Sequence, residues 1–171
     1  DNVITVDMGG TSFDITLTAG GSTNINKDID FLRYRIGVPM IQVETLGAGG
    51  GSIAWIDVDG LLKVGPQSAG AHPGPACYGL GGVEATLTDA NVLLGRLNDQ
   101  ALLDGRMQIR RGLAEASIGR LAEELGLDLM ETARGIIRVA CATVVKAIRP
   151  LSVERGYDPA DFCLFPFGGA G

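Results

Sequence analysis

Residues 3–17 read VITVDMGGTSFDITL and decide the fold. β-Branched residues lie on both sides of the pair Gly9-Gly10 and Phe13 follows it, a pattern typical of two strands joined by a tight turn. The sequence therefore predicts strands over 3–7 and 12–18. One acid, Asp7, ends the first apolar run, and a second acid, Asp14, lies inside the next run.

The turn between these strands has the composition of an anion site. Gly9 and Gly10 leave the backbone accessible, and their N–H groups could form a donor site with those of Thr11 and Ser12. Asp7 would repel a phosphate unless a cation such as hydrated Mg²⁺ lay between them. Alternatively, Asp7 starts an Asx-type turn and the glycines only reverse the chain, which is the reading that the hairpin alone favours.

Glycine accounts for 26 of the 171 residues and recurs in clusters. The cluster GAGGGS (47–52) lacks the Lys-Ser/Thr end of a P-loop, and Ser52 stands where a dinucleotide motif needs its last glycine. Alone it indicates a flexible turn, whereas beside a phosphate-binding hairpin it is a candidate second clamp. The ending FGGAG (167–171) is either a strand end or a nucleotide platform.

The remaining patterns predict an α/β fold with a mixed sheet. We expect a third strand over 24–36, a hairpin with strands at 53–58 and 61–64, and a loop over 65–82. Thr86 or Thr88 is predicted to cap a short helix. Further helices are predicted over 111–125 and from Asp128 to Pro150, followed by a buried strand in FCLFPFGG.

Composition excludes several classes of protein. A chain that is 46% hydrophobic and 20% charged is globular. The net charge of −6 argues against a nucleic-acid partner. No apolar run approaches the roughly 20 residues of a membrane helix, and the start lacks a signal-peptide pattern. Three widely spaced cysteines indicate reduced thiols, so we expect a cytoplasmic protein without a membrane partner.

His72 is the sole histidine of the sequence. A metal site built from His72, Cys77 and Asp89 is conceivable, although their spacing matches no standard zinc pattern. A loop histidine without a ligand role is the favoured alternative.

Several segments together resemble the ATP-dependent hydantoinase A / 5-oxoprolinase family, which also includes subunits of acetone and acetophenone carboxylases. They occur in the family's order and cover nearly the whole chain. The matching segments are VDMGGTSFDI, TLGAGGGSIAW, VGPQSAGAHPGPACYG, TLTDANVLLGRL and SVERGYDPADF with the final FGGAG.

The resemblance implies half of an actin/hexokinase-like (ribonuclease H-like) ATPase that binds ATP and Mg²⁺. It implies that Asp7 is catalytic and organises the metal, with Asp14 either in support or bonded to the hairpin backbone. Phosphate contacts are implied for Gly9, Gly10, Thr11 and Ser12, further donors for Gly49, Gly50 and Ser52, and adenosine-side contacts for Gly168 and Gly169 within the segment 168–171.

The implied activity is the opening of a hydantoin or 5-oxoproline-type ring after phosphorylation of the amide oxygen, with a hydantoinase B-type subunit or domain as partner. The alternatives are a ketone carboxylase subunit and a non-catalytic actin-like nucleotide-binding module. The family's upstream DxGGT hairpin is not found in 1–171, and the sequence stops within GGAG. We therefore expect 1–171 to be the central domain of a larger subunit, inactive alone. His72 replaces an acid of the family loop AGADPGPACYG, so no role is carried over to that position.

Overall fold

The structure, a computed structural model, describes residues 1–98, 100–102 and 105–170. Its first strands are β1 (Val3–Met8), β2 (Phe13–Ala19), β3 (Ser22–Thr23), β4 (Ile25–Asn26), β5 (Ile29–Phe31), β6 (Tyr34–Ile36), β7 (Met40–Ile41) and β8 (Glu44–Leu46). Later strands are β9 (Ser52–Ile56), β10 (Leu62–Ser68), β11 (Ala101–Leu102), β12 (Met107–Gln108) and β13 (Cys163–Phe167). The α-helices are α1 (Leu87–Leu93), α2 (Arg111–Leu125) and α3 (Leu129–Ile148), and short 3₁₀ turns lie at Ala76–Tyr78, Arg149–Leu151, Val153–Arg155 and Pro159–Asp161.

The main sheet is mixed, as predicted. Strand β1 lies between β13, to which it is parallel, and β2, to which it is antiparallel. Strand β2 pairs further with β3 and β8. Strands β9 and β10 form the predicted second hairpin as a separate sheet.

The core lies on one face of the β1–β2 hairpin, against the helices. Successive strand residues point to opposite faces, so alternate positions of β1 and β2 are buried. Helices α1, α2 and α3 pack on one another and complete this core. The strand residues of the core are Ile4, Val6, Met8, Phe13, Ile15 and Leu17, and the helices contribute Val92, Ile118 and Ile136 among others.

The predicted helix boundaries are confirmed. Thr86 caps α1 in a reciprocal capping box with Asp89. Helix α2 ends at Gly126 in the left-handed conformation, with φ of 65°. The Asp128 carboxylate caps α3, and that helix ends just before Pro150.

Two predictions about strands are wrong. Residues 24–36 do not form one strand, because the left-handed residues Leu32 and Arg33 reverse the chain between β5 and β6. The final strand β13 is exposed along its length instead of buried. It pairs only with β1 among the described residues, so it lies at an edge of the sheet.

None of the described helices combines the length and the apolar character that crossing a bilayer requires.

Candidate functional site

The three glycine-rich segments that the sequence predicts as a site meet at one end of the β1–β2 hairpin. Because β13 is parallel to β1 with Phe167 beside Asp7, Gly168 follows directly beside the hairpin turn, residues 9–12. The Ala170 N–H donates to the Met8 carbonyl at 2.8 Å. Segments that are about 160 residues apart in sequence therefore lie against each other.

The glycine loop, residues 47–51, packs on the backbone of the hairpin turn. The Gly50 N–H donates to the Gly9 carbonyl at 3.0 Å, and the Gly51 N–H donates to the Gly10 carbonyl at 2.7 Å. A Cβ atom at Gly49 would lie 2.6 Å from the Gly10 carbonyl carbon. Glycine is required at 49 because a side chain there would hold the two backbones apart.

Thr88 starts a series of hydrogen-bonded peptide groups, here called the Thr88 relay. Its N–H and its hydroxyl both donate to the Gly50 carbonyl at 2.8 Å. The same peptide group carries the Gly51 N–H, which donates to the Gly10 carbonyl. These peptides are trans, so each N–H points away from its C=O. The Thr88 relay therefore ends on the N–H of Thr11, which shares a peptide group with the Gly10 carbonyl.

A second series, the Ala69 relay, has the same direction and ends on the N–H of Gly10. Its donors also point from the 65–82 segment through the glycine loop to the hairpin turn. The successive bonds are Ala69 N–H to the Gly51 carbonyl at 2.8 Å, Ser52 N–H to the Gly49 carbonyl at 3.0 Å, and Gly50 N–H to the Gly9 carbonyl at 3.0 Å.

Three carbonyls of the hairpin turn are consequently bonded, whereas three of its N–H groups are open. Gly9 and Gly10 carbonyls accept from the glycine loop, and the Ser12 carbonyl accepts from the Gly9 N–H at 3.0 Å. Within the described part of the chain, no hydrogen bond uses the N–H groups of Gly10, Thr11 or Ser12, or the hydroxyls of Thr11 and Ser12. Aligned peptide dipoles place partial positive charge at the N–H end, so the turn presents donors to an anion.

Two carboxylates lie beside these donors. Asp7 and Asp14 are directly opposite each other in the antiparallel register, so their partly exposed side chains share one face of the hairpin. The Thr45 hydroxyl donates to Asp14 Oδ1 at 2.5 Å. Opposed like charges are unfavourable unless a cation bridges them, and carboxylate oxygens are ligands that Mg²⁺ prefers. The pair has the chemistry of a divalent-cation site next to an anion site.

Gly168 lies against the Asp7 carboxylate. Its φ is 94°, and a Cβ atom there would lie 2.6 Å from the Met8 carbonyl oxygen and would also collide with Asp7 Oδ1. A Cβ atom at Gly169 would meet no atom within 4 Å. Gly171, in the predicted adenosine-side segment, lies outside the described residues.

The hydrogen bonds of the glycine loop correct one prediction. The predicted role of Gly49, Gly50 and Ser52 is to offer further donors to the phosphates. The Gly49 N–H donates to Ser52 Oγ at 2.9 Å, and the Gly50 N–H is bonded to the Gly9 carbonyl. Ser52 is only 2% exposed. The backbone N–H groups of all three residues are used inside the protein, and they hold the glycine loop together and against the hairpin turn.

Asp89 has a structural role and does not join a metal site with His72 and Cys77. His72 is exposed, whereas Asp89 is fully buried. Burial, reinforced by the charge of Asp89, raises the pKa of the Cys77 thiol, which disfavours the thiolate that binds metals. No cluster of three metal-ligating side chains occurs among the described residues. The Asp89 carboxylate accepts from Ala76 N–H (3.2 Å), Cys77 N–H (2.8 Å), Thr86 N–H (2.9 Å) and Thr86 Oγ1 (2.7 Å).

Thr88 and Thr45 belong to the site although the sequence does not predict them there. The sequence predicts Thr88 only as a possible helix cap, and the hydrogen bond from Thr88 to Gly50 spans 38 residues. Local spacing carries no signal for a contact at that separation. For Thr45, the sequence offers only a polar residue just before the glycine cluster.

The known relatives of this chain include subunits of a caprolactamase and of an acetophenone carboxylase. This chain is 63% identical over 171 residues to caprolactamase subunit alpha of Pseudomonas jessenii. The match covers 99% of this chain and 25% of the relative. The chain is 43% identical over 175 residues to the acetophenone carboxylase gamma subunit of Aromatoleum aromaticum, covering 99% and 24%.

Solved structures show the same fold. The crystal structure of the ATP-dependent caprolactamase from Pseudomonas jessenii matches with a TM-score of 0.88 at 63% identity, over 99% of this chain and 25% of that chain. Nucleotide-free acetone carboxylase matches with a TM-score of 0.86 at 32% identity, over 98% and 24%. These matches confirm the mixed α/β fold, and the chain spans about a quarter of the length of these relatives.

The family model described as hydantoinase/oxoprolinase matches residues 1–171. The predicted resemblance is thereby confirmed, and the chain belongs to the hydantoinase/oxoprolinase family.

Proposed function

We propose that this chain is part of an enzyme that uses ATP to open a cyclic amide. The observation that carries the proposal is the hairpin turn, in which the Gly9 and Gly10 carbonyls are bonded to the glycine loop while the N–H groups of Gly10, Thr11 and Ser12 remain open. A phosphate needs such donors. The 63% identity to an ATP-dependent caprolactamase supports a lactam, which is a cyclic amide, as the substrate class.

The hairpin turn would hold phosphate oxygens of ATP. The hydroxyls of Thr11 and Ser12 would add donors to those of the backbone. Asp7 would bind Mg²⁺ directly or through its water, and Asp14 lies opposite to share the charge. Bound Mg²⁺ would neutralise charge on the phosphate oxygens during transfer.

Gly168 and Gly169 would pass close to the adenosine side of the nucleotide. Gly168 lies against Asp7, and the backbone of Gly169 faces open space. A bound nucleotide could therefore extend from the hairpin turn along this segment without a side chain in its path.

The reaction needs activation because an amide carbon is a poor electrophile. In the proposed sequence, the amide oxygen takes the terminal phosphoryl group and ADP leaves. Water then adds to the activated carbon, the ring C–N bond breaks, and inorganic phosphate is released. The balance is lactam, ATP and water to amino acid, ADP and phosphate. The residues described above would supply charge stabilisation and positioning.

We also propose that residues 1–171 form the central domain of a longer subunit that works with a second subunit. The chain spans about a quarter of its relatives, and these are named as alpha and gamma subunits. The remaining part of the site, including the groups that select the substrate, would come from outside 1–171.

A ketone carboxylase is the second candidate. The observations that favour it are the 43% identity to an acetophenone carboxylase subunit and the TM-score of 0.86 to acetone carboxylase. The same phosphate site would then transfer the phosphoryl group to a ketone enolate instead of an amide oxygen.

The decisive experiment measures ADP release by the whole protein that contains this chain, together with its second subunit. Stimulation by a lactam, with one amino acid formed per ADP, is the expected result. Stimulation by a ketone with bicarbonate would assign the carboxylase function. MgATP binding without turnover under either condition would leave a nucleotide-binding module, and failure to bind MgATP would contradict the proposal.

A further inference from the structure

Thr88 is buried, with 6% of its surface exposed, and its hydrogen bonds within the described part of the chain go to Gly50 and not to the hairpin turn. Both of its donors converge on one acceptor, the Gly50 carbonyl, at 2.8 Å each. A Cβ atom at Gly50 would lie 2.7 Å from Thr88 Oγ1, so this close approach of Thr88 needs glycine at position 50. This packing determines the orientation of the peptide group between Gly50 and Gly51.

That orientation reaches the hairpin turn through one further bond. The Gly51 N–H belongs to the peptide group that Thr88 holds, and it donates to the Gly10 carbonyl at 2.7 Å. The Gly10 carbonyl in turn shares a trans peptide group with the Thr11 N–H. Rotation of the first peptide would turn the Thr11 N–H away from its present direction. Hydrogen-bonded peptides also polarise one another, which strengthens the terminal donor.

We propose that Thr88 is a positioning residue for the phosphate-binding turn, acting through Gly50, Gly51 and Gly10 on the Thr11 N–H. The expected effect of Thr88 on ATP binding rests on the proposed function, whereas its expected effect on the backbone of the hairpin turn does not. Its hydroxyl is expected to matter because glycine peptides have no side chains to hold them in place.

The test compares Thr88→Val with Thr88→Ser in the whole protein. Valine keeps the shape and removes the hydroxyl donor, whereas serine keeps the donor. Thr132→Val is the matched control, since Thr132 is also buried and its hydroxyl also donates to a backbone carbonyl, that of Asp128, at 2.9 Å. MgATP affinity and the separate values of kcat and KM are measured for each variant.

We expect Thr88→Val to raise the Kd of MgATP roughly three- to tenfold, the effect of one lost hydrogen bond. Thr88→Ser, which keeps the hydroxyl, should have the wild-type Kd. An unchanged Kd in Thr88→Val, or an equal rise in Thr132→Val, would overturn the proposal. If valine prevents folding, Thr88→Ala replaces it, and alanine and serine variants with equal affinity would overturn the proposal in the same way.

Hydrogen exchange without nucleotide separates this inference from the proposed function. The bonded amides of the hairpin turn and of residues 47–52 should exchange faster in Thr88→Val than in wild type, and at the wild-type rate in Thr132→Val. They include the amides of Gly9, Gly50, Gly51 and Ser52. That result supports the positioning role even if the wild-type protein does not bind MgATP, in which case only the proposed function fails. Equal exchange in wild type and Thr88→Val would overturn the inference regardless of ATP binding.

Discussion

The amide nitrogen of Gly51 lies 2.7 Å from the carbonyl oxygen of Gly10. This bond joins the glycine loop to the hairpin turn and directs the Gly10 carbonyl away from the open donors. A carbonyl facing a phosphate would repel it, so the bond matters for the proposed site as well as for packing. A Cβ atom at Gly51 would lie 2.9 Å from the same oxygen, which explains why this contact needs glycine.

Replacing Asp7 by Asn should lower turnover of the whole enzyme by at least about tenfold. The amide is a weaker metal ligand than the carboxylate and no longer balances the charge of Mg²⁺. Steady-state ADP release at several Mg²⁺ concentrations measures the effect. Asp59→Asn, in an exposed turn, is the control, and equal turnover in Asp7→Asn and wild type would refute the role of Asp7.

Gly49→Ala should destabilise the protein by about 2 kcal/mol through overpacking. The new Cβ atom would collide with backbone atoms of Gly9 and Gly10, which are not free to move aside as a flexible side chain would be. Urea unfolding measures the change. Gly119→Ala is the control, because its Cβ would meet no atom within 4 Å inside helix α2.

The control substitution should stabilise the protein by about 0.5–1 kcal/mol, since alanine is the better helix former. Opposite signs for the two glycine-to-alanine changes would establish that the contact, and not glycine content, determines the effect. A stabilising Gly49→Ala would contradict the close packing of the glycine loop on the hairpin turn.

Gly168→Ala should weaken MgATP binding more than its conformational strain alone explains. Alanine at φ of 94° is strained, and its Cβ would also displace the Asp7 carboxylate. Gly126→Ala is the control, because alanine there is also strained, at φ of 65°, but its Cβ atom would meet no atom within 4 Å. Calorimetric Kd values for both variants isolate the contact, and equal affinities would show that Gly168 does not shape the metal side of the site.

Cys77 should resist alkylation in the folded protein and react fully in denaturant. Burial comes first and the nearby Asp89 charge second in raising the pKa of this thiol, and the thiolate is the reactive form. Peptide-level mass spectrometry after iodoacetamide treatment at pH 8 follows the label. Rapid native labelling of Cys77 would show that the 3₁₀ turn at Ala76–Tyr78 opens readily.

The same pKa shift predicts a pH dependence of stability. Below the ordinary thiol pKa of about 8.5, Cys77 is protonated in both states and the shift has no effect on pH dependence. Above that value, the unfolded chain releases the proton while the folded chain retains it, so stability falls as pH rises. Urea midpoints between pH 8 and pH 10 should fall less in Cys77→Ala than in wild type.

Local patterns predicted the elements that local chemistry specifies. Thr86 and Asp128 cap their helices because a side-chain oxygen reaches N–H groups two or three residues away. The β1–β2 hairpin formed as expected because alternating apolar residues bury one face. The predicted strand over 24–36 failed because consecutive left-handed residues, Leu32 and Arg33, give no sequence signal as glycine would. The exposure of β13 depends on its neighbours in the sheet and has no local signal.

The sequence by itself determined the family, the hairpin, the helices and the residue types of the candidate site. Glycine marked the places where backbones approach, and the paired acids marked the side where we propose the cation. Only the tertiary structure decided which N–H groups are open and which are used internally. It showed that Gly49, Gly50 and Ser52 support the turn, and that Thr88 connects to it through two peptide groups. The physical reason is that hydrogen bonds between distant segments depend on how the chain is packed, which spacing along the sequence does not encode.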